Sequence, residues 1–276
     1  IANHKNATAI AFDINNEQQR KQEIQEADLV ISMLPAFLHM SVAEDCVRYK
    51  KHMATASYVS KETAGLHEQA KADGVILLNE IGLDPGIDHA SAMKIIDEIH
   101  EAGGELTSFK SYCGGLVAPQ YNNNPWGYKF SWNPRNVVLA GQGTAQFIEQ
   151  GAYKYIPYNR LFTQIETIEV EGHGKFEGYA NRDSLSYRKI YHLDAIPTML
   201  RGTLRMPGFC NAWNVFVKLG LTDDTYKIEA SDKLTYADLL QAYLPKGNQS
   251  IKEKFFTFMG SDINEEIWRK IEWLGI

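Results

Sequence analysis

The segment 79–89, with the sequence NEIGLDPGIDH, carries the residue types best suited to chemistry in this chain. Its loop holds two acids, Glu80 and Asp84, together with two glycines that allow tight backbone turns. A carboxylate fixed in such a loop can hold a cationic group or move a proton. We therefore expect this loop to belong to an active site. His89 falls in the first turn of the following helix, where we expect a structural rather than a catalytic role.

The elements on either side of this loop place it at the edge of a sheet. Residues 75–78 form a short apolar run that is typical of a buried strand. Residues 87–99 carry apolar side chains at the spacing of a helix face, so a helix follows the loop. In an open parallel α/β sheet, ligands bind at the carboxyl ends of the strands, so Glu80 and Asp84 should project toward a ligand.

The first part of the sequence alternates strand-like and helical stretches at a regular spacing. Such alternation is typical of right-handed βα crossovers on a parallel sheet. Leu34, Ser57 and Asp84 each come shortly after a predicted strand, so they should share one edge of that sheet. Ser60 is the expected N-cap of the third helix and Gly74 its end. The predicted strands are 8–12, 29–33, 52–56 and 75–78, and the predicted helices are 16–26, 38–49 and 60–73.

No glycine-rich GxGxxG turn occurs near the start of the sequence. In a Rossmann-like sheet this turn holds the pyrophosphate of a dinucleotide. We therefore expect an α/β fold whose parallel sheet lacks its first βαβ unit in this chain. The first residue is Ile1 rather than Met, so the natural start is expected to be missing. Without pyrophosphate-binding amides, the chain alone should bind a dinucleotide poorly and be inactive.

The pattern changes after residue 100, which indicates a second domain. Alternating β-branched residues and glycine turns predict a mixed or antiparallel sheet that extends toward Arg205, with flanking helices. Asn133 is the expected N-cap of one helix, with Pro134 in its first turn. We expect this second, α+β domain to begin at about His89. The predicted strands include 106–113 and 165–170, and the predicted helices include 133–151, 251–258 and 267–274.

Composition narrows the possible partners and compartments. The net charge of -6 gives no general attraction to nucleic acid, and no apolar run approaches the ~20 residues of a membrane span. Cys46, Cys113 and Cys210 are an odd number without a CxxC or a His-rich cluster. This pattern favours reduced thiols in the cytoplasm over disulfides or a metal site. Cys113 has no adjacent base in the sequence, so we expect it to be a small buried residue.

Four aromatic residues alternate along one strand-like stretch. Such a row could be a stacking platform, but packing in the core or at a domain interface is the better expectation. The residues are Trp126, Tyr128, Phe130 and Trp132.

Several long motifs, taken in order along the chain, resemble the saccharopine dehydrogenase family. The resemblance is greatest to the L-glutamate-forming branch, also called saccharopine reductase, which interconverts saccharopine with L-glutamate and aminoadipate semialdehyde. It implies hydride transfer between NAD or NADP and a C–N bond in lysine metabolism. It also implies a homodimer, with a partial dinucleotide-binding domain at 1–88 and an inserted substrate-binding and dimerisation domain at 89–276. The motifs are VISMLP, TASYVS, NEIGLDPGIDH, SYCGGL, NPWGYKFSW, NRDS and RGTLR.

The resemblance implies which residues contact the cofactor. Asp13 ends the first predicted strand, near where the family binds adenine, although a solvated turn is the alternative. Asn133 would lie near the nicotinamide ribose and can cap a helix at the same time. Ala56 stands where relatives often carry threonine, and Asn133 replaces a common serine. The implied cofactor-binding residues are Asp13, Ile14, Leu34, Ala56, Ser57, Leu83, Asp84, Pro85 and Asn133.

The resemblance also implies a small amino acid substrate with several carboxylates and a secondary amine. A guanidinium matches a carboxylate through two hydrogen bonds, so Arg182 and Arg205 are the expected partners, ahead of Arg188 and Arg201. Asp84 is the expected catalytic residue, as an electrostatic anchor for the amine or as its general base, with helix capping as the alternative. The implied substrate-binding residues are Ser57, Tyr58, Asp84, Arg182, Thr203, Leu204 and Arg205.

Two other functions remain open at the level of sequence. A related dehydrogenase could join a different aldehyde and amine, such as a polyamine precursor, and such a substrate would not need both Arg182 and Arg205. A non-catalytic dimerisation module derived from the enzyme would carry no glycine-rich turn at all.

Overall fold

The computed structural model describes residues 4–131, 133–139 and 142–276, so the expectation for Trp132 falls outside the described residues. The chain divides into two units, the first ending at Asp97 and the second beginning at Glu98. The first unit contains a parallel sheet and the second contains a separate sheet. Among the described residues, no helix is long and apolar enough to cross a lipid bilayer.

The sheet of the first unit has three parallel strands. The strands are β1 (Leu29–Ser32), β2 (His52–Thr55) and β3 (Leu77–Leu78), and the helices are α1 (Glu17–Glu26), α2 (His39–Arg48), α3 (Lys61–Ala64) and α4 (His67–Ala72). The strand order is β1–β2–β3, with α2 between the first pair and α3 and α4 between the second. Parallel neighbours require such crossovers. The predicted α/β alternation is confirmed for these three strands, each shorter than predicted.

The predicted strand 8–12 is wrong. These residues form an irregular segment in which the side chains of Ile10 and Phe12 are 52% and 44% exposed. No strand among the described residues pairs with the segment. An apolar pattern produces a strand only where a neighbour completes its hydrogen bonds and covers one face.

Local signals explain the helix boundaries of the first unit. The side chain of Asn16 accepts a hydrogen bond from a backbone N–H in the first turn of α1, and Ser60 caps α3 in the same way, as predicted. Gly74 follows α4 with a φ of +68°, a left-handed conformation that ends helices. The predicted helix 60–73 is interrupted at Gly65, because glycine weakens a helix, and two short helices result.

Helix α2 supplies the core of the first unit. Its residues Val42, Ala43 and Cys46 are buried against Met53 of β2 and Ile24 of α1. A fully buried aliphatic side chain contributes roughly 1.5–3 kcal/mol relative to an exposed one. Burial also raises the pKa of the Cys46 thiol to about 12, so this cysteine is a packing residue rather than a nucleophile.

The second unit is built on a six-stranded sheet. The strands are β4 (Phe109–Cys113), β5 (Ala145–Glu149), β6 (Ala152–Ile156), β7 (Glu166–Val170), β8 (Gly174–Ala180) and β9 (Met199–Arg205). They follow the order β6–β5–β9–β8–β7, and β4 pairs parallel with β9 while the other pairs are antiparallel. The sheet is therefore mixed, which confirms one of the two predicted forms.

Seven helices complete the described part of the chain. Helix α5 contains the boundary between the two units. The helices are α5 (Ile87–Glu101), α6 (Pro134–Leu139), α7 (Tyr158–Leu161), α8 (Phe209–Leu219), α9 (Tyr236–Tyr243), α10 (Ile251–Met259) and α11 (Glu265–Glu272).

The predicted helix 133–151 is correct only in its first turns. Asn133 caps α6 by accepting a hydrogen bond from the N–H of Asn136 at 3.3 Å, and the helix ends at Leu139. Residues 145–149 form β5, which turns into β6 through Gln150 and Gly151 at φ values of +50° and +79°. Two consecutive left-handed residues form the tight turn that suits a twisted hairpin. The hairpin therefore replaces the second half of the expected helix.

Helix α8, which the sequence reading missed, is central to the core of the second unit. The ring of Trp126 stacks on Phe216 at 5.6 Å and meets Trp213 edge-on at 6.3 Å. Tyr128 meets Phe209 edge-on at 5.6 Å. Core packing is therefore confirmed for Trp126 and Tyr128, which are 6% and 7% exposed. It is wrong for Phe130, which is 51% exposed because its position lies at the rim of this cluster.

The SYCGGL motif contains a matched pair of glycines for a stability test. A Cβ at Gly114 would lie 2.5 Å from the carbonyl oxygen of Leu204, whereas the nearest atom to a Cβ at Gly115 is the Oγ of Ser131 at 3.9 Å. We expect Gly114→Ala to lower the free energy of unfolding by about 1–3 kcal/mol and Gly115→Ala to change it by less than about 0.5 kcal/mol. Denaturant titration of both variants measures this, and equal losses would contradict the close approach at Gly114.

Candidate active site

The loop between β3 and α5 is held in shape by its own backbone. Gly82 and Gly86 form a β-bridge, and the N–H of Gly82 donates to the carbonyl oxygen of Pro85 at 2.9 Å. A Cβ at Gly86, where φ is +148°, would lie 2.1 Å from the carbonyl oxygen of Gly82, so only glycine fits. The Asp84–Pro85 peptide bond is cis. The two glycines of the motif thus fix the loop that carries Asp84.

The two acids of this loop have different surroundings. Glu80 Oε1 accepts a hydrogen bond from the N–H of Val59 at 3.1 Å, and the Glu80 N–H donates to the carbonyl oxygen of Ser57 at 3.1 Å. Glu80 therefore fastens the loop to the segment that follows β2. Asp84 Oδ1 instead accepts a hydrogen bond from the hydroxyl of Tyr58 at 2.8 Å. The structure thus brings Asp84 and Tyr58, two of the predicted site residues, into direct contact.

The start of the helix that follows Asp84 carries two further polar side chains. Helix α5 begins at Ile87, and the Gly86 N–H donates to Asp88 Oδ1 at 2.8 Å. His89 lies between acids of its own segment, with Nδ1 3.5 Å from Asp88 Oδ2 and Nε2 3.8 Å from Glu80 Oε2. These contacts support a structural role for His89.

The expected cofactor residues of the first unit fall into two groups. Asp13 Oδ1 accepts a hydrogen bond from the backbone N–H two residues further on at 3.0 Å, which closes a turn before α1. Ile14 and Leu34 are partly buried and pack against the core around α2. Their side chains therefore stabilise the turn and the strand end on which they lie.

The other group surrounds the loop that carries Asp84. Ala56 and Leu83 are exposed, while Pro85 is buried. A Cβ added at Gly82 would lie only 3.0 Å from the Cβ of Ala56. The end of β2 and the loop after β3 are therefore in close contact. Together these positions give the carboxyl edge of the sheet an apolar surface beside the Tyr58–Asp84 pair. Among the described residues, no group of three or more His, Cys, Asp or Glu could hold a metal ion.

The structure adds His39 to this edge, a residue that the sequence reading missed. His39 is 5% exposed at the first position of α2. Its Nδ1 lies 2.8 Å from the hydroxyl of Ser32 at the end of β1. Its Nε2 lies 2.7 Å from the hydroxyl of Ser57 and 3.5 Å from that of Thr55, at the end of β2. The only sequence signal was a histidine at the helix start after VISMLP.

The second unit buries the guanidinium of Arg205 among aromatic rings. The residue is 5% exposed, and its guanidinium carbon lies 4.6 Å from the ring centre of Tyr128, 5.2 Å from Phe209 and 5.8 Å from Tyr179. Its Nη1 donates to the carbonyl oxygen of Leu204 at 3.1 Å. Its Nε is buried and has no hydrogen-bond acceptor within the described part of the chain. The cation therefore packs on aromatic rings and has no carboxylate ion-pair partner among residues 4–131, 133–139 and 142–276.

The strand next to Arg205 carries a carboxylate, Glu177, which accepts hydrogen bonds from the start of α8. Glu177 of β8 is the register partner of Arg205 in β9. Its two oxygens accept hydrogen bonds from the N–H groups of Gly208 and Cys210 at 2.7 and 2.8 Å, at the start of α8. An anionic acceptor at a helix N-terminus is stabilising. Burial, together with this carboxylate, raises the pKa of the Cys210 thiol, so Cys210 stays protonated.

The other expected substrate residues lie near Arg205 in the chain or on the neighbouring strand. Thr203 Oγ1 donates to the side-chain oxygen of Asn181 at 2.7 Å, and Thr203 pairs with Tyr179 across β8 and β9. Arg182 follows Asn181 and is exposed. Thr203, Leu204 and Arg205 are thus consecutive residues of one strand, with Arg182 just beyond the end of the next.

The two secondary arginine candidates have structural contacts. Arg188 donates to the carbonyl oxygens of Leu193 and Ile196 at 3.2 and 3.5 Å, which closes a turn. Arg201 is buried, with its guanidinium carbon 4.7 Å from the ring centre of Tyr187. These contacts agree with the order of the sequence-based expectation, which placed both residues behind Arg182 and Arg205.

Comparison with known families decides the relationship that the motifs suggest. Residues 82–262 match the family model described as the saccharopine dehydrogenase C-terminal domain. The chain belongs to the saccharopine dehydrogenase family. Residues 1–78 match a second model, the saccharopine dehydrogenase NADP binding domain. The family resemblance drawn from the seven motifs is confirmed.

Individual members of the saccharopine dehydrogenase family cover nearly all of this chain. The saccharopine dehydrogenase (NADP+, L-glutamate-forming) of Schizosaccharomyces pombe is 38% identical over 280 residues, which cover 98% of this chain and 62% of the relative. The alpha-aminoadipic semialdehyde synthase of Arabidopsis thaliana is 38% identical over 272 residues, 97% of this chain and 25% of the relative.

A solved structure has the same fold. The apo histidine-tagged saccharopine dehydrogenase (L-Glu forming) from Saccharomyces cerevisiae superimposes with a TM-score of 0.84 at 35% identity, covering 98% of this chain and 62% of that chain. The chain therefore spans about three fifths of the length of the fungal relatives that it matches.

The capping role of Glu177 can be tested by an isosteric change. We expect Glu177→Gln to lower the free energy of unfolding by about 1.5–3 kcal/mol, because one of two charge-assisted hydrogen bonds at the start of α8 is lost. Glu169→Gln, an exposed change on β7, is the matched control and should be nearly neutral. Thermal melting of both variants provides the comparison. Similar melting temperatures for the two would show that the cap contributes little.

Proposed function

We propose that the complete protein is a saccharopine dehydrogenase of the L-glutamate-forming type. As an oxidoreductase of lysine metabolism, it would interconvert saccharopine with L-glutamate and aminoadipate semialdehyde, using NADP or NAD. Membership of the family and the activity named for the Schizosaccharomyces pombe relative support this proposal. The observation that carries it is the buried guanidinium of Arg205, which has aromatic neighbours but forms no ion pair with a carboxylate in the described part of the chain.

The carboxyl edge of the parallel sheet suits the nicotinamide end of a dinucleotide. Leu83 is 56% exposed there, Ala56 is exposed, and Ser57 supplies a hydroxyl. The cofactor, when bound, supplies or accepts the hydride at the carbon of the substrate C–N bond. The match of residues 1–78 to an NADP binding domain supports NADP, with NAD as the alternative. The proposed cofactor contacts are Asp13, Ile14, Leu34, Ala56, Ser57, Leu83, Asp84, Pro85 and Asn133.

Asp84 is proposed to hold the secondary amine of the substrate. The hydroxyl of Tyr58 donates to its carboxylate at 2.8 Å and orients it. A carboxylate in this position would attract the cationic amine of the substrate. The proposed role is an electrostatic anchor, with a general base as the alternative.

The carboxylates of the substrate are proposed to bind Arg205 and Arg182. Burying a guanidinium without a counter-ion costs free energy, and a ligand carboxylate removes part of that cost. The rings of Tyr128 and Phe209 keep the guanidinium in one plane, which suits a two-bonded approach. Thr203 and the backbone of Leu204 lie beside Arg205 in β9 and complete the proposed carboxylate site.

The organisation of the complete protein follows from the same proposal. Residues 1–88 would serve the dinucleotide, and 89–276 would bind substrate and form a homodimer. The pyrophosphate is proposed to be held by the first βαβ unit of the dinucleotide-binding domain. Cys46, Cys113 and Cys210 are all described and form no disulfide, which favours a reducing compartment such as the cytoplasm.

Arg205→Lys tests the proposed carboxylate site in the complete protein. We expect kcat/KM for saccharopine with NADP+ to fall about a hundredfold, because a lysine cannot make the two-bonded contact and a lost buried charge pair costs about 2–5 kcal/mol. Arg160→Lys, at an exposed position of α7, is the control and should leave kcat/KM unchanged. Formation of the reduced nicotinamide, followed by its absorbance, is the measurement.

The same experiment separates the alternatives. Full activity of Arg205→Lys toward saccharopine would remove Arg205 from the site. If the unaltered protein turns over a different aldehyde and amine pair, such as a polyamine precursor, but not saccharopine, the substrate assignment is wrong. No turnover by the complete protein with either cofactor would favour a non-catalytic dimerisation module.

A further inference from the structure

The contacts of His39 link the ends of two parallel strands. Ser32 is the last residue of β1, and Ser57 lies just beyond β2, next to the exposed Ala56. The imidazole of His39 lies between the two hydroxyls and is almost fully buried. Two of the polar groups that it contacts, on Ser32 and Thr55, are themselves buried, so Ser57 is the partly exposed end of the network.

The ring chemistry couples the two serines. Burial lowers the pKa of His39, so the ring is neutral at neutral pH, with one nitrogen that donates and one that accepts. A serine hydroxyl has one hydrogen and two lone pairs. If Nε2 accepts from Ser57, the serine offers only lone pairs to a ligand, and if Nε2 donates, the serine keeps its hydrogen and one lone pair. In both tautomers the 2.7 Å contact holds the Ser57 oxygen in one rotamer.

We propose that His39 is a positioning residue, which with Ser32 fixes the direction of the Ser57 hydroxyl for the bound dinucleotide or amino acid. The inference rests on the proposed function, in which Ser57 contacts both ligands. A serine rotor has three staggered positions, and holding one of them in the free protein removes an entropy loss on binding. His39 itself would not touch the reacting atoms, since it lies behind Ser57 in the interior of the unit.

A purely structural role is the competing explanation. His39 also ties the first turn of α2 to β1 through Ser32, and such a tie would stabilise the fold without affecting a ligand. The two explanations depend on different ring nitrogens of His39. Binding depends on the Nε2 contact with Ser57, whereas the tie to β1 depends on the Nδ1 contact with Ser32.

Two conservative variants of the complete protein separate these contacts. In His39→Gln the side-chain amide reaches the position of Nε2, and in His39→Asn it reaches only that of Nδ1. We expect His39→Asn to weaken NADPH or saccharopine binding about tenfold, the value of one hydrogen bond, while His39→Gln stays within about threefold of the unaltered protein. Fluorescence titration with NADPH, KM for saccharopine and the melting temperature are measured for each. His67→Gln replaces an exposed histidine of α4 and is the control, which should leave binding unchanged.

A double-mutant cycle with Ser57→Ala identifies the route of the effect. If His39 acts through Ser57, then adding His39→Asn to Ser57→Ala should cause no further loss of binding. Additive losses, or equal effects of the Asn and Gln variants on binding, would overturn the proposal. A fall in melting temperature with unchanged binding would assign His39 to structure alone.

Failure of the proposed function has a different signature from failure of this inference. If the unaltered protein binds neither NADPH nor saccharopine, both are wrong. If it binds either ligand without turning over saccharopine, the function is wrong, and the Asn and Gln variants still decide the role of His39 through binding.

Discussion

A buried positive charge that forms no ion pair with any carboxylate among the described residues is the constraint on which the second unit depends. Desolvating a guanidinium costs several kcal/mol unless other groups compensate. Arg205 has the faces of Tyr128 and Phe209 and one backbone carbonyl, while the carboxylate of Glu177, its register partner in the sheet, accepts hydrogen bonds at the start of α8. This arrangement leaves Arg205 suited to an external carboxylate.

The two acids of the loop in the first unit, Glu80 and Asp84, also have different roles. Glu80 is engaged by the backbone of the segment after β2, and that contact positions the loop. Asp84 accepts a hydrogen bond from the Tyr58 hydroxyl at the sheet edge. In both units one acid maintains the backbone, and the neighbouring ionic group contacts an aromatic side chain of the proposed site. The loop glycines make this division possible, because a side chain at Gly86 would collide with Gly82.

The sequence was sufficient for features that arise from short-range signals. The βα alternation, the cap at Ser60 and the position of Asp84 at a strand end all follow from local pattern and from the geometry of parallel sheets. Motifs identified the family and drew attention to Arg205. They could not show its aromatic neighbours, because Tyr128 and Phe209 come from distant parts of the chain.

Features that depend on distant neighbours were missed or misjudged. The segment 8–12 has a strand pattern but no partner strand among the described residues, and 145–149 joins a hairpin rather than the preceding helix. Helix α8 was missed although most of its residues are buried in the core of the second unit. His39 gave little signal because its importance lies in bridging two strands that are far apart in sequence.

A crystal structure of the complete protein with NADP+ and saccharopine would test the central claim most directly. We expect a substrate carboxylate within hydrogen-bond distance of Arg205 Nε, about 3 Å. A bound saccharopine whose carboxylates all lie elsewhere, with Arg205 still covered only by its aromatic neighbours, would contradict it.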